Sequence, residues 1–261
     1  MSVPLRRVPS PAGSRSARAI ATIWPYARLA VGAVLLVAVA MQFQRTVSVY
    51  AAMPEPYASH VPTLVANFFS YFTNLANIAT AATLIAGAVW ALTRGRSAKH
   101  EPRWLAVALV CTTSCMVVTG VVYNALLRDT ADPLTFLRFS NEVVHVVGPL
   151  FLLADLLLAP KRRTLAWHSI WVVVAIPIVW CAYTLVRAPF IVEPSTGFTG
   201  FYPYPFLNPR VQDGFAGVAA YIAVLSVVVA VVAVGVIAIS RARAHRAETE
   251  SDPDAAERGG P

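Results

Sequence analysis

The sequence predicts an all-α fold, a six-transmembrane-helix bundle with both termini cytoplasmic, and three observations carry that prediction. The 261-residue chain is 57% hydrophobic and only 13% charged, with a mean hydropathy of +0.61, which is too apolar for a soluble domain of this length. Six of its apolar runs are long enough to cross about 30 Å of hydrocarbon as helices of about 20 residues. Lysine and arginine divide unevenly between the two sets of connections, sixteen on one side and five on the other. The positive-inside rule places the richer side, with both termini, in the cytoplasm of a multi-pass cell-membrane protein.

The elements follow in order. Residues 1–27, opening MSVPLRRVPSPAGSRSARA, are basic and rich in Pro and Ser, and read as a disordered cytoplasmic tail ahead of an uncleaved first span. Spans are predicted near 28–45, 65–92, 104–127, 138–159, 165–186 and 215–240. Buried strands do not fit these runs, which contain Ala and Leu, lack hairpin signals and exceed strand length. The loop from Arg187 to Gly214 is long and dense in aromatic residues and prolines. It is expected to lie as a cover on the outer interface, where Tyr and Phe rings are favoured. Residues 241–261 are polar, lack periodicity, and read as a second disordered cytoplasmic tail.

Composition also narrows the function classes. The formal charge of +8 raises the question of a nucleic-acid partner, yet the basic residues fall in short clusters between apolar runs. That pattern fits loops at a membrane surface, so no nucleic-acid partner is expected. Cys111, Cys115 and Cys181 all lie in apolar stretches, which suggests neither a disulfide framework nor a CxxC metal site.

Polar residues are not spread evenly along the spans. At about 1.5 Å per helical residue, Thr73 lies roughly 12 Å below the outer entry of the second span and His145 roughly 10 Å below that of the fourth. Around this level gather Ser70, Asn74 and Asn77, Tyr123 and Asn124, and Asn141 and Glu142. Ser70, Thr73, Asn74 and Asn77 stand at i, i+3, i+4 and i+7, and Asn141 and His145 at i and i+4, so each set forms a stripe on its helix. Polar groups in hydrocarbon must face a partner or a wet cavity, and an outward-opening polar cavity is one reading. The other is that Ser, Thr and Asn simply bond helix to helix, with the Thr73 hydroxyl returning to the Phe69 carbonyl.

His145 is the only histidine well inside a span. A single imidazole makes a poor zinc or haem site, so no metal or cofactor is implied. Paired with a hydroxyl it is a sufficient base for acyl transfer: imidazole takes the proton as oxygen attacks a carbonyl, then returns it to the leaving alcohol. Thr73 is the candidate nucleophile at the same depth. Glu142 and Asn141 are candidates to orient the ring, and Asn74, Asn124 and Tyr204 are candidate oxyanion donors. Asp155 lies ten residues below His145 and is expected to pair near the inner edge with Lys161 or Arg162.

At these residues the chain resembles the androgen-induced and androgen-dependent membrane proteins, multi-pass threonine hydrolases of fatty acid esters of hydroxy fatty acids. YFTNL, Tyr71 to Leu75, is similar to the family segment carrying the nucleophilic threonine, which falls on Thr73. NEVVHVVGP, Asn141 to Pro149, is similar to the segment carrying the catalytic histidine, which falls on His145. Asp155 matches an acidic residue ten positions later, and Tyr204 to Leu207 a YPFL motif. Glu142 and Val146 stand where animal members have His and Thr, and the resemblance points to a bacterial branch of six-helix integral membrane proteins. It implies a lipid-ester hydrolase whose acyl-ester substrate enters laterally from the outer leaflet. The alternative from the residues alone is a small-solute or lipid transporter or binding protein without hydrolytic activity, its polar cavity holding a solute.

Overall fold

The computed structural model describes residues 11–130 and 132–251. Among these, six helical segments are long and apolar enough to cross a membrane: Ala19–Ala51, Phe72–Leu92, Arg103–Leu127, Arg138–Leu158, Ser169–Phe190 and Phe215–Arg246. The helices are α1 (Pro11–Ala51), α2 (Pro56–Ser59), α3 (Val61–Phe68), α4 (Phe72–Leu92), α5 (Arg103–Val122), α6 (Arg138–Glu142), α7 (Gly148–Leu158), α8 (Ser169–Arg187) and α9 (Phe215–Ser251). Helix α5 is the hub, with 72% of its apolar window enclosed against 22% for α8 and for α9. It packs against α4, α7, α8 and α9, while α1 lies along α4. The outer faces of α8 and α9 present Trp171, Val179, Val186, Val227 and Val231, an apolar exterior suited to hydrocarbon.

Three expectations need correction at the ends. Helix α1 begins at Pro11 and runs to Ala51, so the segment read as coil is helical from residue 11 and the first span is longer than 28–45 at both ends. The physical reason lies at Arg28, which looked like a charged flank but is 3% exposed, inside the bundle. Likewise α9 continues past residue 240 to Ser251, its Arg243 anchored on the Leu156 and Ala159 carbonyls at 2.7 and 2.9 Å. Residues 1–10 and 252–261, the remainder of the two expected tails, lie outside the described residues.

The second predicted span is not one helix. It breaks between α3 and α4 at Phe69–Tyr71, where Tyr71 is extended (φ −71°, ψ 124°). Side chains satisfy the backbone groups that the break frees. Asn74 Nδ2 donates to the Phe68 carbonyl at 2.8 Å, Trp180 Nε1 to the Ser70 carbonyl at 2.9 Å, and the Thr73 N–H to the Tyr204 hydroxyl at 3.2 Å. Irregular backbone at membrane depth is tolerated only with such partners. The same polar residues that looked like a stripe on a continuous helix are therefore the ones that stabilise its interruption.

Two further departures from α geometry face each other. The third span winds into a π turn at Tyr123–Leu127 and the fourth carries another at Val143–Val147, centred on His145. Single π turns inside α-helices are frequent at functional sites. The Asn124 side chain joins them, donating to the Gly120 and His145 carbonyls at 2.8 and 3.2 Å. Close approach here depends on Gly120, where a Cβ would lie 3.0 Å from Pro149 Cγ and 3.2 Å from the His145 carbonyl oxygen. Gly120→Val is expected to destabilise the protein by about 1–3 kcal/mol through overpacking, read as a lowered melting temperature in detergent; an unchanged melt would show that α5 and α7 separate freely.

At the end of the bundle opposite the Arg187–Gly214 loop, charges are buried together. Asp155 is 0% exposed and accepts four bonds: Trp24 Nε1 at 2.6 Å and Arg28 Nε at 2.7 Å on one oxygen, Arg28 Nη2 at 2.9 Å and Arg162 Nη2 at 2.6 Å on the other. Those bonds fill a carboxylate's acceptor capacity. Glu101 stands 3.7 Å from Arg162, and burial pushes its carboxyl above the usual range while Arg162 and Arg28 pull it back. The pairing of Asp155 with Arg162 agrees with expectation. Lys161 instead donates to the Gly95 and Arg96 carbonyls, and Arg28 is the partner that sequence reading missed.

Candidate functional site

Above the π turns lies a cavity of about 610 Å³, walled by α1, α3, the start of α4, the fourth span and the Tyr202–Pro205 stretch of the long loop. Thr73, Asn74, Asn141, His145 and Tyr204 all line it, so the structure brings five of the nine sequence-predicted residues to one space. The loop is a cover, as expected. Tyr204 stacks on Phe206 and meets Tyr71 and Trp180 edge-on, with ring centroids 5.3, 5.7 and 5.6 Å apart.

Thr73 sits in the first turn of α4, where backbone N–H groups lack intrahelical acceptors. Its hydroxyl lies 3.0 Å from the Tyr204 hydroxyl, which also receives the Thr73 N–H at 3.2 Å. The hydroxyl therefore does not return to the Phe69 carbonyl. Burial pushes the Tyr204 phenol above its ordinary range, and its hydrogen bonds with Thr73 oppose that shift. The Tyr204 oxygen accepts from the Thr73 N–H, and between the two hydroxyls either can donate.

His145 is half-buried, its ring stacked on Tyr123 with centroids 3.5 Å apart and planes 14° from parallel. Its Nδ1 lies 3.1 Å from the Asn141 carbonyl oxygen. An Nδ1–H donated to that carbonyl leaves Nε2 as the basic nitrogen. No hydrogen bond joins His145 to Thr73: each has a different partner, and they share the cavity wall. Neither the side chain of Asn141 nor Glu142 orients the ring; the Asn141 backbone carbonyl and the Tyr123 face do. Tyr123 is the site residue that sequence reading left outside its candidates, and the pairing of Tyr123–Asn124 with Asn141–His145 at one depth was its only signal.

The remaining candidates stand elsewhere. Glu142 forms a partly exposed ion pair with Arg128 at 2.7 Å, away from the cavity. Ser70 is 1% exposed, with its hydroxyl on the Ala66 carbonyl at 2.7 Å and 3.2 Å from the Tyr183 hydroxyl. Asn77, fully buried, donates to the Thr73 carbonyl at 2.9 Å. Asn124 supports the π turns, and its Oδ1 accepts from Arg128. These four hold backbone or surface geometry and do not line the cavity.

Four polar atoms on cavity-lining residues have no partner within the protein: Asn67 Nδ2, Tyr123 Oη, Ser140 Oγ and Asn141 Nδ2. All four residues are more than nine-tenths buried, where an unsatisfied donor costs about 1–3 kcal/mol. Among the described residues no group of three His, Cys, Asp or Glu side chains gathers as a metal site, and Cys111, Cys115 and Cys181 are free and buried. A second, apolar cleft of about 80 Å³ between α5, α8 and α9 shares Thr73, Tyr123, Leu127 and Tyr204 with the first.

No family model, curated protein or solved structure matches the chain. What the fold establishes is an all-helical protein with the spans of a multi-pass membrane protein.

Proposed function

We propose that the protein is an intramembrane lipid-ester hydrolase, with Thr73 as nucleophile and His145 as general base. The observation that carries this reading is the common cavity: a helix-terminal hydroxyl and an imidazole whose Nδ1 is held by a backbone carbonyl line one space. Thr73 Oγ1 attacks the ester carbonyl carbon while His145 Nε2 takes its proton, and the proton passes to the departing alcohol. Water then attacks the acyl-threonine, giving a proton to His145 that returns to Thr73 Oγ1 as the acid leaves. Asn141 Nδ2 and the Thr73 N–H supply donors for the tetrahedral oxygen. Contacts of this kind lengthen in the free enzyme and tighten around substrate, which accommodates the present partnership of Thr73 with Tyr204.

The resemblance to the androgen-induced membrane proteins supports the same roles through YFTNL and NEVVHVVGP. The positive-inside rule supports a cytoplasmic location for both termini and the Asp155 cluster, so the cavity opens toward the outer leaflet. The test is covalent labelling of detergent-purified protein with a fluorophosphonate, mapped by mass spectrometry. Wild type should be labelled on Thr73 and Thr73→Ala left unlabelled; equal labelling of the two sinks the assignment. Tyr204→Phe, which removes a hydroxyl bonded to the nucleophile, is expected to slow labelling about tenfold, the worth of one hydrogen bond of about 1.4 kcal/mol, in a time-course of adduct formation. An unchanged rate would relegate Tyr204 to the cover.

One observation favours a second reading, a solute- or lipid-binding transporter without hydrolytic activity. The break at Phe69–Tyr71 directs a half-helix N-terminus at the cavity, and discontinuous helices are how many transporters build their substrate sites. Solute uptake into proteoliposomes that survives Thr73→Ala and is lost in His145→Ala would select this reading over hydrolysis.

A further inference from the structure

The wall of the large cavity carries a charge pattern that the hydrolytic reading does not use. Among the described residues two carboxylates line it, Asp132 and Glu193, and no lysine or arginine does. Each is held in place by neutral donors. Asp132 accepts from the Tyr50 hydroxyl at 2.9 Å, the Thr135 hydroxyl at 3.0 Å and the Leu134 N–H at 2.9 Å. Glu193 accepts from the Ser195 and Thr196 hydroxyls at 3.2 and 3.1 Å. Neutral donors carry no charge to set against a carboxylate's own. Arg45, Arg187 and Arg210 bond the neutral oxygens of Leu134, Asn67 and Thr199 and do not line the cavity or pair with either carboxylate.

Between the two carboxylates the wall is aromatic. Tyr50, Tyr71 and Tyr202 line the same cavity, while the Phe201 ring there already lies under the Arg187 guanidinium, 5.9 Å from its centroid. Ring faces beside uncompensated carboxylates attract organic cations, ammonium groups above all. Deeper in the cavity the character reverses. The unpartnered atoms there, Asn141 Nδ2 and Tyr123 Oη, can donate, and a carbonyl oxygen accepts from such groups. Among the described residues Asp132, Glu193 and His145 do not gather into a group that could hold a metal, so an inorganic cation lacks a coordination shell.

We infer that the cavity is built for a ligand with an ammonium-bearing head, held between Asp132, Glu193 and the tyrosines, with its carbonyl directed inward toward Asn141 and Tyr123. An acyl ester of an amino alcohol has that polarity. A substrate ending in a free carboxylate has the opposite one. This assignment rests on the hydrolase reading for the word substrate, but the charge preference belongs to the cavity and is measurable without turnover.

The experiment therefore measures binding in the Thr73→Ala background, in nanodiscs of neutral lipid at low ionic strength. The probes are the hexadecyl ether of choline and hexadecanoate, compared by microscale thermophoresis. The choline ether is expected to bind at least about tenfold more tightly, and Asp132→Asn with Glu193→Gln, substitutions that keep the acceptor oxygens, should reduce the preference to about twofold or less. Equal affinities in the Thr73→Ala protein, or a preference that the double substitution leaves intact, overturn the inference. Hydrolysis is followed separately on palmitoylcholine with wild-type protein. An ammonium preference without turnover keeps this assignment and removes the hydrolase, whereas turnover without a preference does the reverse.

Discussion

Thr73→Ala and His145→Ala should each lower kcat/KM for a long-chain acyl ester by at least about 10³-fold, and the double variant should be no worse than either alone. Nucleophile and base act as one unit, so their losses do not add. The alanine variants are expected to melt within a few degrees of wild type. The Thr73 hydroxyl bonds only to Tyr204 Oη, and the Asn77 side chain holds the Thr73 backbone carbonyl irrespective of the residue's side chain. Steady-state rates in detergent micelles, with circular dichroism on the same samples, check both statements. Additive losses would show two independent contributions to binding and remove the dyad.

Asp155→Ala is expected to have the largest effect on folding. It strips the common acceptor from Trp24, Arg28 and Arg162, and leaves two guanidinium groups buried at 3% and 5% exposure. Uncompensated buried charge of this kind costs about 3–5 kcal/mol, or a fall in Tm on the order of 10 °C for a protein of this size. The quadruple substitution Arg28→Met, Glu101→Gln, Asp155→Leu, Arg162→Met, which removes the four charges together, should recover much of that loss. If the single variant melts like wild type, water already reaches the cluster.

The two predictions draw on parts of the molecule that differed in how readable they were. The six spans followed from apolar length alone, because hydrocarbon thickness sets a minimum run that loops do not reach. Thr73 and His145 were placed at one depth by counting residues, and both do line one cavity. The break at Phe69–Tyr71 was not legible, since Trp180 and Tyr204 stabilise it from more than 100 residues away, Ser70 and Asn74 add only local bonds, and FFSYFTNL contains no Pro or Gly to announce it. Glu142 was misassigned for a related reason. One turn from His145 on an ideal helix, it is carried off by the π turn that begins at Val143 and is captured by Arg128. Arg28 looked like a flanking charge because its partner lies 127 residues away. Sequence gave depth well and azimuth poorly, for depth accumulates residue by residue while azimuth is lost at each irregular turn.

That long separation between Arg28 and Asp155 has a consequence during biosynthesis. Chains grow at about 5–20 residues per second, so the 127 residues between the two take on the order of ten seconds to make. Throughout that interval the first helix waits with a guanidinium that has no carboxylate, and only arrival of the fourth helix lets it settle among its neighbours. The ion cluster therefore closes only once the fourth span has been made, because Asp155 is the acceptor that Trp24, Arg28 and Arg162 share.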